Sequence, residues 1–163
     1  GLLAGISLDT KNFAFKTGVR TFEAASYLKK SGADTIEVKK LFNSDIKDFI
    51  TKAEIIQNAK VINNNICLAY TKTETDNINI VIAQAADELL NIKEVEASFV
   101  LARKDDRVFI SARSLGNINV HVLMENLGGG GHRDMAGAQL DTSLEKAYEM
   151  VKDTIQTCIK EEE

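Results

Sequence analysis

The densest group of residues able to do chemistry lies at positions 127–137, which read LGGGGHRDMAG. Backbone without side chains lets a ligand lie directly against the chain, where N–H groups can point at an anion. His132 and Arg133 follow the glycines and add a hydrogen-bonding ring and a fixed positive charge. We interpret the segment as a loop that holds phosphate. A flexible connection is the alternative, because glycine-rich loops are also ordinary linkers.

The individual glycines have different expected tasks. Gly128 follows an apolar helical pattern and is predicted to end that helix in the left-handed conformation. Gly129, Gly130 and Gly131 exceed what a cap needs, and each costs backbone entropy on folding. These three are therefore the candidate ligand-binding glycines.

A second set of polar residues precedes the glycines. On the strand predicted over residues 107–113, Ser111 and Arg113 share a face because side chains alternate along a strand. If this strand lies beside the glycine loop, Arg113 can pair bidentately with a phosphate and Ser111 can donate to it. A solvent-facing strand with a snorkelling arginine is the alternative. Asn119 is predicted either to cap the next helix or to touch the ligand.

One carboxylate, Asp9, follows a run of apolar and small residues near the start of the chain. Carboxylates at the ends of buried elements are how α/β enzymes present metal ligands, so Asp9 is a candidate ligand. The alternative is an ordinary loop or capping aspartate. The sequence has no partner cluster of Asp and His with ligand spacing. No Gly-Lys-Ser/Thr follows the glycines, which excludes a Walker-type loop.

The elements that must position these residues alternate between strand and helix from about residue 60. Apolar spacing predicts strands over 62–70, 95–102, 107–113 and 136–140, with helices over about 77–89, before the glycines and at the end of the chain. This order predicts an α/β domain with a mixed sheet flanked by helices. Thr142 and Glu145 are predicted to form a capping box for the last helix.

The chain is expected to contain three parts. It opens inside an apolar run with no initiator Met, as a piece cut from a longer protein would. Residues 1–32 have too few apolar positions for a domain and are interpreted as the end of a preceding α/β catalytic domain. Residues 33–60 form a linker with a helix that Ser44 is predicted to cap. Residues 61–163 form the predicted α/β domain.

Composition limits the classes of function. The 163 residues are 44% hydrophobic and 27% charged, which is typical of a globular protein. The net charge is -4 and no basic run is present, so phosphate binding must come from a local site and not from a global field. Cys67 and Cys158 are expected to be free thiols of a reducing compartment, although a disulfide stays open. No signal peptide or bilayer-spanning apolar run is found.

The polar motifs together resemble a known family. The run GGGGH at 128–132, preceded by SARS at 111–114 and NV at 119–120, resembles the DHH-associated C-terminal domain of the DHH phosphoesterases. The opening of the chain resembles the end of the catalytic DHH domain, in particular that of membrane-bound bacterial cyclic-di-AMP phosphodiesterases. The matching segments are residues 3–6, 9–10, 15–18 and 20–25.

This resemblance implies a two-domain phosphodiesterase with its active site in the cleft between domains. It implies two divalent metal ions, usually manganese, of whose ligands only the residue matching Asp9 is present here; the others are expected upstream of Gly1. The chain itself is then the substrate-binding portion, to which no catalytic residue is assigned. It is expected to bind cyclic-di-AMP weakly and to hydrolyse it little. The implied substrate-binding residues are Gly129, Gly130, Gly131, His132 and Arg113, with Ser111 and Asn119 carrying less weight.

Three alternatives stay open at this point. A related enzyme acting on short oligoribonucleotides or adenosine bisphosphate would use the same loop. Residues 60–163 could instead be a nucleic-acid-binding module, as related domains are in alanyl-tRNA synthetases, although the acidic net charge counts against it. A structural domain without ligand leaves the glycines unexplained.

The resemblance implies a cytoplasmic domain of a parent anchored in the bacterial membrane. The oligomeric state, including a homodimer, stays open.

Overall fold

The computed structural model describes residues 1–10, 12–14, 17–63 and 65–161, the last three without their side chains. It divides into two compact units, Gly1–Ser44 and Asp45–Glu163. The first unit is helical, with α1 over Leu2–Asp9, α2 over Val19–Lys30 and α3 over Thr35–Lys40.

The second unit consists of a six-stranded sheet with helices on both faces. Its helices are α4 (Ile46–Gln57), α5 (Ile78–Leu89), α6 (Val120–Glu125) and α7 (Leu144–Glu161). Its strands are β1 (Lys60–Ile62), β2 (Ile66–Thr71), β3 (Ala97–Lys104), β4 (Arg107–Ser114), β5 (Gly130–Gly131) and β6 (Met135–Leu140). The sheet order is β1-β2-β3-β4-β6-β5, in which β2 and β3 are parallel and the other neighbours antiparallel. The predicted α/β class with a mixed sheet flanked by helices is confirmed.

Alternation along the strands divides the core between the two faces of the sheet. Leu68, Phe99 and Ile110 pack with α6 and α7 on one face. Cys67 and Val100 pack with α4 and α5 on the other. Both faces are therefore apolar near the centre of the sheet, which is why the central strands read as nearly continuous hydrophobic runs.

Two helix caps differ by one residue from the sequence expectation. α4 is capped by Asp45 and not by Ser44, since the Asp45 carboxylate accepts the N–H of Lys47 at 3.4 Å. At the start of α7, the Oγ of Ser143 and not that of Thr142 accepts the N–H of Lys146, at 3.2 Å. In both cases two adjacent residues have side chains able to cap a helix, so the sequence pattern locates the helix start only to within one residue.

Candidate functional site

Gly128 ends α6 as predicted. Its φ is +76°, its N–H donates to the Glu125 carbonyl at 2.9 Å, and the next N–H, of Gly129, donates to the Met124 carbonyl at 2.8 Å. These two bonds form a Schellman motif, which satisfies carbonyls that the helix leaves without partners. The motif turns the chain directly into β5.

Close packing requires glycine at two of the next three positions. A Cβ on Gly129 would overlap the Gly137 carbonyl and lie 2.6 Å from the Ala138 Cβ. A Cβ on Gly131 would lie 2.5 Å from the Ala136 Cα, and its φ is +148°. Only Gly130 has open space where a side chain would be. The segment is also part of the sheet, because β5 pairs with β6, so it is not a flexible connection.

Arg113 is buried, with 8% of its surface exposed, and so does not lie on a solvent-facing strand. Its Nη1 donates to the Ser111 Oγ at 3.0 Å and to the Ala112 carbonyl at 2.9 Å. Its Nε lies 3.2 Å from the Oδ1 of Asp87 in α5, although that N–H has no acceptor in line for a hydrogen bond. Two neighbours thus fix one side of the guanidinium, and a carboxylate lies on another.

A groove of about 520 Å³ lies on the α5 side of the sheet between β4 and β6. We call it the β4–β6 groove. Its lining residues are Asn79, Ile82, Phe109, Ile110, Ser111, Arg113, Gly128, Gly129, Ala136, Gly137, Ala138 and Gln139. The register pairs Ser111 with Gly137 and Phe109 with Gln139. Because Gly137 has no side chain, the groove is open above its strand.

The groove brings together three of the residues predicted from the sequence: Ser111, Arg113 and Gly129. Gly130 is the cross-strand partner of Gly137 and so lies beside the groove floor. Among the described residues that line the groove, Arg113 is the charged one and the others are neutral. The arrangement can therefore hold an anion through one buried guanidinium, a hydroxyl and nearby backbone.

His132 and Asn119 do not line the groove. His132 is exposed, and its N–H and carbonyl both bond to the backbone of Met135, closing the turn between β5 and β6. Asn119 precedes α6, but its side chain does not cap the helix, so that expectation is wrong. Its Oδ1 is buried without a hydrogen-bond partner, and contact with a ligand stays a prediction.

Asp9 is the exposed last residue of α1, in the first unit. Within the described ranges, no group of three or more His, Cys, Asp and Glu residues has the arrangement needed to hold a metal ion. None of the helices in the described part of the chain combines the length and apolarity needed to cross a bilayer.

Sequence reasoning missed four residues around the groove. Gly137 could have been suspected, because glycine inside a strand often marks a close approach of another backbone or a ligand. Its Cβ would lie 2.8 Å from the Ile110 carbonyl. Asp87, Asn79 and Gln139 gave no signal, since polar residues on a partly exposed helix or strand face are ordinary. The packing of α5 beside β4 places Asp87 and Asn79 here, and the register of β4 with β6 places Gln139.

Sequence comparison matches the chain to a known domain family and to named relatives. The DHHA1 domain model matches residues 63–161. The cyclic-di-AMP phosphodiesterase GdpP of Bacillus subtilis is 47% identical over 158 residues, covering 94% of this chain and 24% of that protein. The cyclic-di-AMP phosphodiesterase PdeA of Listeria monocytogenes is 44% identical over 148 residues, covering 90% of this chain and 22% of that protein. The chain thus spans under a quarter of the length of these relatives.

A solved structure shares the fold. The crystal structure of an exopolyphosphatase-related protein from Bacteroides fragilis matches with a TM-score of 0.83 at 20% identity, covering 93% of this chain and 47% of that one. At this identity the likeness concerns the fold alone.

Proposed function

This chain belongs to the DHHA1 domain family, and we propose that it is the substrate-binding portion of a phosphodiesterase that opens cyclic-di-AMP to a linear dinucleotide. The identity to GdpP and PdeA over nearly the whole chain supports the activity and the substrate class. On this proposal residues 1–32 end a catalytic domain, 33–60 connect, and 61–163 bind substrate. The parent protein is anchored in the bacterial membrane.

The observation that carries the proposal is the buried Arg113 at the β4–β6 groove. Burying a guanidinium costs free energy, which its neighbours Ser111, Ala112 and Asp87 offset. A planar guanidinium matches phosphate oxygens, which makes arginine the preferred side chain for this task. Nη1 is held by Ser111 and Ala112, so the guanidinium is oriented before any ligand arrives.

The roles proposed for the other residues follow from their positions. Ser111 both orients Arg113 and presents a hydroxyl to the groove. Gly130 lets a ligand approach the β5 backbone, because nothing occupies the space above it. Gly129 and Gly131 keep β5 tight against β6. His132 is exposed in the β5–β6 turn, outside the lining of the groove, and its proposed contact with substrate rests on the resemblance.

The metal centre implied for the parent is a separate matter. Two divalent ions, manganese by the resemblance, would activate the attacking water and stabilise the departing oxygen. The described residues fit one ligand of such a centre at most, which is Asp9. We propose that the remaining ligands lie in an N-terminal catalytic region, and that this chain alone positions substrate without hydrolysing it.

Calorimetric titration of the chain with cyclic-di-AMP, its linear product and AMP tests the proposal. Arg113→Gln should weaken binding at least tenfold. The matched control is Arg107→Gln, on the same strand but outside the groove, where Arg107 pairs with the exposed Asp141 at 2.9 Å. Circular dichroism should show both variants folded. Nucleotide binding that Arg113→Gln leaves intact, or an absence of nucleotide binding in the unmodified chain, would refute the proposed site.

The same titration separates the family alternative. Adenosine 3′,5′-bisphosphate and a short oligoribonucleotide are the matched ligands. If the chain binds either of these ligands more tightly than cyclic-di-AMP, and Arg113→Gln still weakens that binding, the groove remains the proposed site. The proposed substrate would then change.

A further inference from the structure

We propose that Asp87 makes the β4–β6 groove discriminate between phosphate charges, favouring singly charged phosphodiesters over doubly charged phosphate monoesters. This inference rests on the proposed function, in which a substrate phosphate binds Arg113. It assigns a selectivity to a residue on α5 that does not itself line the groove.

The groove carries a compensated charge and not a bare cation. Arg113 supplies the single charge of the lining, and the Oδ1 of Asp87 lies 3.2 Å from its Nε. The side chain of Arg113 is 10% exposed and that of Asp87 is 35% exposed. A phosphate that binds this guanidinium must therefore share it with a carboxylate that solvent screens only in part.

The orientation of Arg113 has support besides Asp87. The Nη1 of Arg113 already donates to the Ser111 Oγ and to the Ala112 carbonyl, and the Nε that lies nearest Asp87 makes no aligned hydrogen bond. The two hydrogen bonds of Nη1 orient the guanidinium. Asp87 in addition places a negative charge beside the guanidinium that a phosphate would bind.

That charge acts unequally on the two kinds of phosphate ester. A phosphodiester carries one negative charge, whereas a monoester, whose second pKa is about 6, carries nearly two at neutral pH and above. Repulsion from Asp87 is therefore about twice as large for the monoester. Hydrolysis of a phosphodiester creates a terminal monoester, so the same carboxylate that tolerates the substrate would favour departure of the product.

The test compares two ligands that differ in phosphate charge and share the adenosine: AMP and 3′,5′-cyclic AMP, titrated calorimetrically at pH 8. Asp87→Asn removes the charge and keeps an oxygen beside Nε. The matched control is Glu88→Gln, which removes one charge from the next, exposed residue of the same helix. We expect Asp87→Asn to tighten AMP binding roughly fivefold more than cyclic AMP binding, and Glu88→Gln to leave the ratio of the two dissociation constants unchanged.

Other outcomes separate the inference from the proposed function. If Asp87→Asn weakens both ligands equally, or changes neither, Asp87 is a structural partner and the inference is wrong. If Glu88→Gln changes the ratio of the two dissociation constants as much as Asp87→Asn does, the effect comes from the net charge of the chain, and the inference is wrong. If Arg113→Gln has no effect on either ligand, the proposed phosphate site itself fails. A third result is that Arg113→Gln abolishes binding of both ligands while Asp87→Asn leaves the ratio of their dissociation constants unchanged. In that case the phosphate site stands and the proposed selectivity is wrong.

Discussion

Ser111 of β4 is the direct cross-strand partner of Gly137 in β6. Gly137 is in turn the partner of Gly130 in β5, so this row crosses three strands with a single short side chain. Directly paired residues of antiparallel strands present their side chains on the same face. The floor of the β4–β6 groove is therefore formed largely by backbone, because Gly137 and Gly130 have no side chains. The charged group of the groove is Arg113, which lies at its margin.

The first prediction concerns the unequal glycines of β5. Gly129→Ala should lower the free energy of unfolding by about 1–3 kcal/mol, because the new Cβ overpacks against β6. Gly130→Ala should change it by less than about 1 kcal/mol, because open space receives the methyl group. Urea unfolding followed by circular dichroism measures both. Equal losses in the two variants would mean that packing does not distinguish these positions.

The second prediction uses the same open space to test ligand approach. Gly130→Val should keep the fold and weaken nucleotide binding, because its branched side chain would occupy the space above the β5 backbone. Calorimetric titration with cyclic-di-AMP gives the affinity, and the melting temperature reports the fold. Val122→Ala, at an exposed position of α6, is the control and should bind normally. Unchanged affinity in a folded Gly130→Val variant would show that ligand does not approach this backbone.

Sequence patterns predicted what depends on local geometry. The alternation that places Ser111 and Arg113 on one face is a property of any strand, and the Gly128 cap follows from the apolar helix before it. Patterns could not predict Asp87 beside Arg113, because that contact depends on where α5 packs across the sheet. They also could not separate Gly129 and Gly131 from Gly130, since the neighbours that would collide with a Cβ belong to β6.

The third prediction concerns the cap of α7. Ser143→Ala should destabilise the chain by about 1 kcal/mol, because the N–H of Lys146 loses its acceptor. Thr142→Ala is the matched control and should cost a few tenths of a kcal/mol at most. Thermal unfolding of both variants in the same buffer makes the comparison. A larger loss in Thr142→Ala than in Ser143→Ala would restore the capping role of Thr142 that the sequence pattern favours.

The last prediction concerns the thiol of Cys67, which is fully buried in β2 among residues of α4 and α5. Burial raises the pKa of the Cys67 thiol, because the thiolate would lose its hydration. The thiolate is the reactive form, so Cys67 should react with a disulfide reagent only when the unit opens. Urea that unfolds the chain should therefore release its reactivity. Absorbance of the reagent's product measures it in a Cys158→Ala variant, which leaves Cys67 as the one thiol of the sequence.

The same shift fixes a pH dependence. Since the folded-state pKa lies above the unfolded value, the stability contribution of Cys67 is complete below about pH 8.5, the ordinary cysteine pKa, and is lost as pH rises through the folded pKa. The free energy of unfolding should thus fall more steeply with alkaline pH in the unmodified chain than in Cys67→Ala. Parallel pH profiles for the two proteins, or rapid modification of Cys67 in the folded chain, would contradict the burial of this thiol.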